Sequence, residues 1–320
     1  MGSKTTKYHR EVLSNINSIK ELQLKSSGNT LLNHLIPVPG SNIKEFNWDF
    51  VVSLTSYPAR FSTLSKSLSS ISSQRLIPKK IYLNIAQADI AKLPTEVKAL
   101  EGTGTLIINA CNDLGPGKKL IPTLINEPEL PIIVFDDDLY LEADLTLKLM
   151  IQHHLTPHCV IASRVHKVKY DKNGKFLPYE KWVKNFNSAS GPDLDLFPTS
   201  GAGTLYKKSF FHDDVIKENE YKELSFHTDD LWWYIQSRRI NTKTKKLSGF
   251  SFLDYIEETQ ASGLWQTGNQ IRNDENLTKL LMVAGEGFEP SKAEPGDLQS
   301  PPIGRSGNPP GLLSEAKSKA

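Results

Sequence analysis

Only two cysteines, Cys111 and Cys159, occur in 320 residues, and they form no CxxC. That scarcity excludes a disulfide scaffold or a zinc ribbon and suits a reducing compartment. Neither charge sign dominates: 38 Lys+Arg against 36 Asp+Glu leave +2. The basic excess of a nucleic-acid binder is missing, so no nucleic acid is expected as a partner. No apolar run approaches the roughly 20 residues of a membrane span. Met1-Gly2-Ser3-Lys4 leads into polar sequence, without the apolar core of a signal peptide. These absences predict a cytoplasmic protein, and they leave room for a peripheral contact at the inner face of the cell membrane.

What is present divides into three parts. Residues 1–46 are rich in Lys, Ser and Asn, with Val12, Ile16, Ile19 and Leu22 near helical spacing. This lead-in is expected to be partly helical or weakly ordered. Residues 47–284 carry the apolar periodicity of a folded body. Residues 285–320 hold 6 of the 19 prolines and 6 of the 20 glycines and almost no apolar periodicity, so they are expected to be disordered. Gly287-Phe288-Glu289-Pro290 can be encoded by sequence close to the T-arm of a transfer-RNA gene. The tail resembles the peptide made when a reading frame runs into such a gene, and it is expected to be non-native.

Within the body, Phe50-Val51-Val52-Ser53-Leu54 reads as a strand, and Phe61, Leu64, Leu68 and Ile71 follow at helical spacing. Further strands are expected at Ile81–Ile85, Leu106–Ile108, Pro131–Phe135 and Val160–Ala162, with helices at Lys118–Ile125 and from Leu141 to Met150. Strands without polar alternation are covered on both faces. Alternating strands and helices then predict an α/β protein with an open, mostly parallel sheet flanked by helices. In such sheets ligands bind beyond the carboxyl ends of the strands, so the polar residues after each strand matter most.

The most hydrophobic strand runs directly into Asp136-Asp137-Asp138. Three adjacent carboxylates repel one another beside apolar sequence unless something positive is near. Asp136 and Asp138 share one side of an extended chain and can converge on one cation. Oxygen ligands favour Mg²⁺ or Mn²⁺, which could bridge a diphosphate. A solvated acidic turn is the plainer alternative.

A hydrophobic strand followed by Asp-x-Asp resembles the metal motif of GT-A-fold (Rossmann-like), nucleotide-sugar-dependent glycosyltransferases. Four further segments, in the same order, resemble a bacterial family-2-like subgroup of these enzymes: Val51–Arg60, Gly115–Leu120, Ser200–Tyr206 and Thr228–Trp232. The resemblance implies a GT-A domain, a nucleotide-sugar donor, a glycan or lipid-linked glycan acceptor, Mn²⁺ or Mg²⁺ as cofactor, and a role in bacterial surface polysaccharide synthesis. It further implies that Thr55, Tyr57 and Arg60 hold the nucleotide, and that Lys118 or Lys119 contributes on the donor side together with Asp136 and Asp137. Metal would sit on Asp136 and Asp138. Gly201, Gly203 and Trp232 would face the acceptor, and Asp230, with Asp229 second, would be the catalytic base of an inverting transfer.

The residues themselves leave simpler readings open. Pro58 can start a helix with Arg60 on its surface. Asn84 can hydrogen-bond a base or be an internally satisfied strand residue. Lys118 and Lys119, after Gly115-Pro116-Gly117, can open a helix whose N–H groups favour a diphosphate, or be solvated. Thr228 can cap a helix whose first turn Asp229 and Asp230 complement. His212 and His227 are further ligand candidates. Gly263-Leu264-Trp265-Gln266 and Asn269–Asn276 could form a lid. Two other functions fit the acidic triplet: a haloacid-dehalogenase-type phosphatase with Asp136 as nucleophile, and a non-catalytic nucleotide- or glycan-binding module.

Overall fold

The computed structural model describes residues 47–188, 190–248, 253–262 and 269–284. The lead-in, the tail and the Gly263–Gln266 segment lie outside the described residues.

The centre is a seven-stranded sheet. Four strands come from the first half of the body: β1 (Val51–Thr55), β2 (Lys80–Ala86), β3 (Leu106–Cys111) and β4 (Ile132–Phe135). They lie parallel in the order β3-β2-β1-β4. Beyond β4 come β9 (Ala202–Tyr206), β6 (Val160–Ala162) and β10 (Thr244–Lys246). Only β9 runs antiparallel to its neighbours in this sheet. Two short ribbons complete the strands: β5 (Leu139–Tyr140) with β11 (Asp254–Tyr255), and β7 (Val165–Lys167) with β8 (Leu196–Pro198). The α/β class and mostly parallel sheet are as the sequence predicts.

The continuous apolar strands explain the centre. All four residues of β4, and Val51, Val52 and Leu54 of β1, have no exposed surface. Burying each such side chain contributes about 1.5–3 kcal/mol. Helices α1 (Leu64–Ser72), α2 (Thr95–Glu101), α3 (Ile121–Asn126) and α4 (Leu145–Leu155) flank the sheet. Leu64, Leu68 and Ile71 form the buried stripe of α1, at the spacing expected from sequence. Helices α5 (Glu218–Ser225), α6 (Asp229–Arg238) and α7 (Asn269–Ala284) follow in the second half.

Three expectations are corrected here. Lys118 and Lys119 do not open a helix: they close a 3-10 turn over Gly115–Lys119, and α3 starts only at Ile121. Asn84 has no exposed surface and sits inside the sheet. Its Nδ2 donates to Ser53 Oγ at 3.1 Å and Thr123 Oγ1 at 3.0 Å, and its Oδ1 accepts from Asn109 Nδ2 at 2.7 Å. It has no open side for a nucleotide base. Ser53 Oγ also donates to the Lys119 carbonyl at 2.6 Å, so this network fastens the lysine turn to β1. Third, Ser200-Gly201-Ala202-Gly203, whose small residues read as a loop, is strand from Ala202 onward, where β9 begins.

Candidate active site

The acidic triplet leaves the carboxyl end of β4, where open sheets bind ligands. Its aim is set by a bulge. Val134 pairs with Thr204 but Phe135 pairs with Ala202, so Gly203 is the extra residue on β9. Its φ of +106° suits glycine, and a Cβ there would stand 2.9 Å from the Phe135 ring. Beside the bulge, Asp136 N–H donates to the Gly201 carbonyl at 2.9 Å. A Cβ on Gly201 would lie 1.6 Å from Asp136 Oδ2. Gly201 thus gives the Asp136 carboxylate its resting place. Gly203 is buried beneath Phe135 and offers no acceptor contact, contrary to expectation.

The three carboxylates have separate surroundings. Asp137 is buried, its oxygens taken by Arg60 Nη1 at 2.6 Å and Ser56 Oγ at 2.6 Å. It braces the loop after β1 and has no oxygen free for a donor, which corrects its expected role. Arg60 also reaches Asp138 Oδ2 at 3.2 Å. Burial alone would lower the Arg60 pKa, but Asp137 and Asp138 outweigh it, and the guanidinium stays charged. Asp138 Oδ1 is buried with no hydrogen-bond partner among the described residues. Burial first, then Asp136, pushes the Asp138 carboxyl up to about 7 against the pull of Arg60. A lone buried oxygen on an acid next to a second carboxylate fits a hard divalent cation. Among the described residues, no three His, Cys, Asp or Glu side chains converge as a ligand set.

Lys119 joins the triplet to α6. Its ammonium is 2.6 Å from Asp136 Oδ1 and 3.2 Å from Asp229 Oδ2. Burial opposes its charge, but Asp136, Asp229 and Asp230 hold it protonated. Asp230 Oδ1 accepts from Ser200 N–H at 2.9 Å. Burial, then Asp229, raises the Asp230 carboxyl to about 7 although Lys119 and Ser200 oppose the shift. Asp229 and Asp230 fill the first turn of α6, as expected. Thr228 precedes them without capping by its side chain, which instead bonds Ser225 and accepts from Asn276 Nδ2 at 2.9 Å.

A cleft of about 430 Å³ opens over this arrangement. Asp136, Gly201, His227, Asp229 and Asp230 line it, which brings together expected residues from three segments. Others are elsewhere. Lys118 is buried against Asp113, 2.5 Å away. Thr55 Oγ1 donates to the Asn84 carbonyl at 2.6 Å, and Tyr57 lies beside Arg60. His212 pairs with Asp214 at 3.3 Å. Trp232 has no exposed surface, its Nε1 donates to the Val215 carbonyl at 2.9 Å, and its ring meets Tyr221 edge-on. It is a core residue and no sugar platform, which corrects its expected role. Asn269–Asn276 is the start of α7, and Asn273 lines the cleft.

Further lining residues were not anticipated from sequence: Arg164, His166, Tyr179, Lys184, Thr199 and Tyr255. Arg164 is the second residue after β6, and the rule that residues after strand ends line ligand sites would have found it. Tyr179 and Lys184 carry no such signal. His166 stacks on Phe197, and its Nδ1 accepts from Asn185 N–H at 3.1 Å. Burial, then Arg164 and Lys184, lowers its pKa to about 3, so the ring is neutral.

No protein-family model matches the chain, and no curated protein matches it in sequence. Solved structures similar to it include residues 1–349 of S. aureus TarS in complex with UDP, at 18% identity and TM-score 0.42, covering 64% of this chain and 60% of that one. The same TarS segment in complex with UDP-GlcNAc gives 18% identity and TM-score 0.41, covering 64% of this chain and 58% of that one. The chain therefore spans less than two thirds of the length of these proteins. Among the described residues, no helix is long and apolar enough to cross a membrane.

Proposed function

We propose that the chain is a glycosyltransferase of GT-A type that moves a sugar from a nucleoside-diphosphate donor to a glycan acceptor with inversion. One observation carries this reading: Asp136, from the end of β4, and Asp230, from the start of α6, line the same cleft and are tied from behind by the Lys119–Asp229 pair. The five-segment resemblance supports it independently.

Asp136 and Asp138 are the residues to hold a divalent cation, whose positive charge would stabilise the departing diphosphate. The chain's own residues divide the remaining work. Lys119 holds Asp136 and Asp229 in place, so Asp229 is occupied and Asp230 is the better base. Ser200 N–H fixes one oxygen of Asp230, leaving the other to take a proton. The acceptor oxygen bonds to the anomeric carbon as the bond to the diphosphate breaks, and its proton passes to Asp230. A carboxyl near 7 is well matched to proton transfer at neutral pH.

The test is a thermal-shift screen of UDP, GDP, ADP and dTDP with and without Mn²⁺, followed by mass-detected transfer from the matching nucleotide sugars. Stabilisation by one nucleotide only with metal, lost in Asp138→Asn, supports the reading. No nucleotide binding and no transfer from any donor would overturn it.

A further inference from the structure

Two cations that the proposed transfer chemistry does not use line the same cleft as Asp136 and Asp230. Arg164 Nη1 donates to Thr199 Oγ1 at 3.0 Å, and the Arg164 carbonyl accepts from Thr199 N–H at 3.1 Å. Lys184 Nζ donates to the Tyr179 carbonyl at 2.6 Å and lies over the Tyr179 ring. These contacts hold both heads in position without neutralising them. By contrast, Arg60 has Asp137 and Asp138, and Lys119 has Asp136 and Asp229. Among the described residues, no carboxylate lies within ion-pair distance of Arg164 or Lys184. Both are half-buried and both line the cleft. His166 between them is neutral and adds a hydrogen-bonding edge without a third charge.

Two half-buried cations with no carboxylate at ion-pair distance among the described residues are costly unless a ligand supplies the negative charge. Burial lowers the Lys184 pKa to about 8; the Asp274 carboxylate opposes that shift, and the Arg164 charge adds a smaller push in the same direction as burial. Among the described residues, Asp274 acts on Lys184 only from beyond ion-pair distance, and no carboxylate pairs with Arg164. The acidic residues of the cleft, Asp136, Asp229 and Asp230, repel anions and are not suited to receive one.

We infer that Arg164 and Lys184 form an anion subsite for the acceptor, so that the acceptor sugar carries a carboxylate or phosphate. The inference rests on the transferase reading for the word acceptor. The anion subsite itself does not depend on it. A guanidinium and an ammonium in the same cleft as a proton-accepting carboxylate would orient a charged sugar with one hydroxyl towards Asp230. The alternative source of negative charge is the donor diphosphate, and the experiment separates the two.

The full chain is titrated calorimetrically with glucose 6-phosphate, glucuronate and neutral methyl glucoside, each with and without Mn²⁺ and the nucleotide panel. Arg164→Gln and Lys184→Gln are compared with wild type, and Lys184→Arg serves as the charge-retaining control. The anionic sugars should bind at least ~10-fold more tightly than methyl glucoside, and each Gln variant should weaken them about 10- to 100-fold. Methyl glucoside and nucleotide affinities should not move, and Lys184→Arg should keep the anion preference. Equal binding of charged and neutral sugars would overturn the subsite. Loss of nucleotide affinity in the Gln variants, with sugar binding intact, would assign the pair to the donor and overturn it as well. If no nucleotide binds wild type, the transferase reading fails, while the nucleotide-free titrations still decide the anion subsite.

Discussion

The ammonium of Lys119 stands 2.6 Å from Asp136 Oδ1, and the same nitrogen reaches Asp229 Oδ2 at 3.2 Å. One buried cation thus connects the end of the central strand to the start of α6. Its backbone carbonyl is fastened to β1 through Ser53. Replacing it removes the only positive partner that Asp229 has among the described residues. Lys119→Met should therefore lower unfolding stability by about 3 kcal/mol, the usual cost of leaving a buried charge unpaired. Urea unfolding measures this. A stability change below ~1 kcal/mol would mean that the pair is solvated and the connection weak.

The two glycines that shape the Asp136 bed should behave differently. In Gly201→Ala the new methyl group takes the place of Asp136 Oδ2, and Asp136, at the cleft edge, must swing away. The fold can absorb that, but the metal-binding geometry cannot. In Gly203→Ala the methyl meets the buried Phe135 ring at a φ of +106°, so the fold itself takes the strain. Gly201→Ala is expected to abolish most Mn²⁺ binding with a small change in melting temperature. Gly203→Ala should cost about 1–3 kcal/mol of stability. Paramagnetic titration of Mn²⁺ alongside thermal melts distinguishes them, and the reverse pattern would refute the assignment.

How much of this was legible in the sequence follows from what each signal depends on. The parallel strands were legible because β1, β2 and β4 are apolar on both faces, and their run lengths survive any packing. The position of Asp136–Asp138 followed from β4 alone. Strand β9 was hidden, because its two small residues and bulge glycine read as a turn until β4 and β6 are seen to need a partner between them. Asn84 was left open and Trp232 misread for one shared reason: a polar or aromatic side chain near a ligand site has the same letter whether it faces the ligand or the core. For Trp232 a signal did exist. Leu231-Trp232-Trp233-Tyr234-Ile235 is apolar all round a helix, and such a helix is buried. Arg164 was findable from its place after β6, whereas Lys184 lies in an irregular stretch between β7 and β8, where no local pattern marks a ligand site.

Asp230 should impose a pH dependence on both rate and stability. Its folded pKa of about 7 lies above the ordinary carboxyl value of 3.8 because of burial and Asp229. A base must be ionised to accept a proton, so kcat/KM should rise with pH and level off above about 7. Stability has the opposite sign. Between 3.8 and about 7 the folded state keeps a proton that the unfolded chain has lost, so the contribution of this group falls as pH rises through that window. Asp138, also raised to about 7, contributes in the same direction. Asp230→Asn should remove the acid limb of the rate profile, lower the rate severely, and reduce the stability decline between pH 4 and pH 7. A rate profile that keeps its limb in Asp230→Asn would move the base elsewhere.

Trp232 separates a core role from an acceptor role. It has no exposed surface, its indole N–H is satisfied by Val215, and Tyr221 packs edge-on against it. Tyr221 in turn fills the space above Gly117, where a Cβ would lie 2.4 Å from the tyrosine ring, so the lysine turn depends on this packing. Truncation to Ala leaves a large cavity, expected to cost about 3–5 kcal/mol. Trp232→Phe keeps most of the volume but leaves the Val215 carbonyl without its donor, at about 1–3 kcal/mol. If the residue is core, unfolding midpoints should follow that order, while acceptor KM in the still-folded Phe variant stays within a few-fold of wild type. A large rise in acceptor KM for Trp232→Phe, with stability unchanged, would instead restore the stacking role that burial argues against.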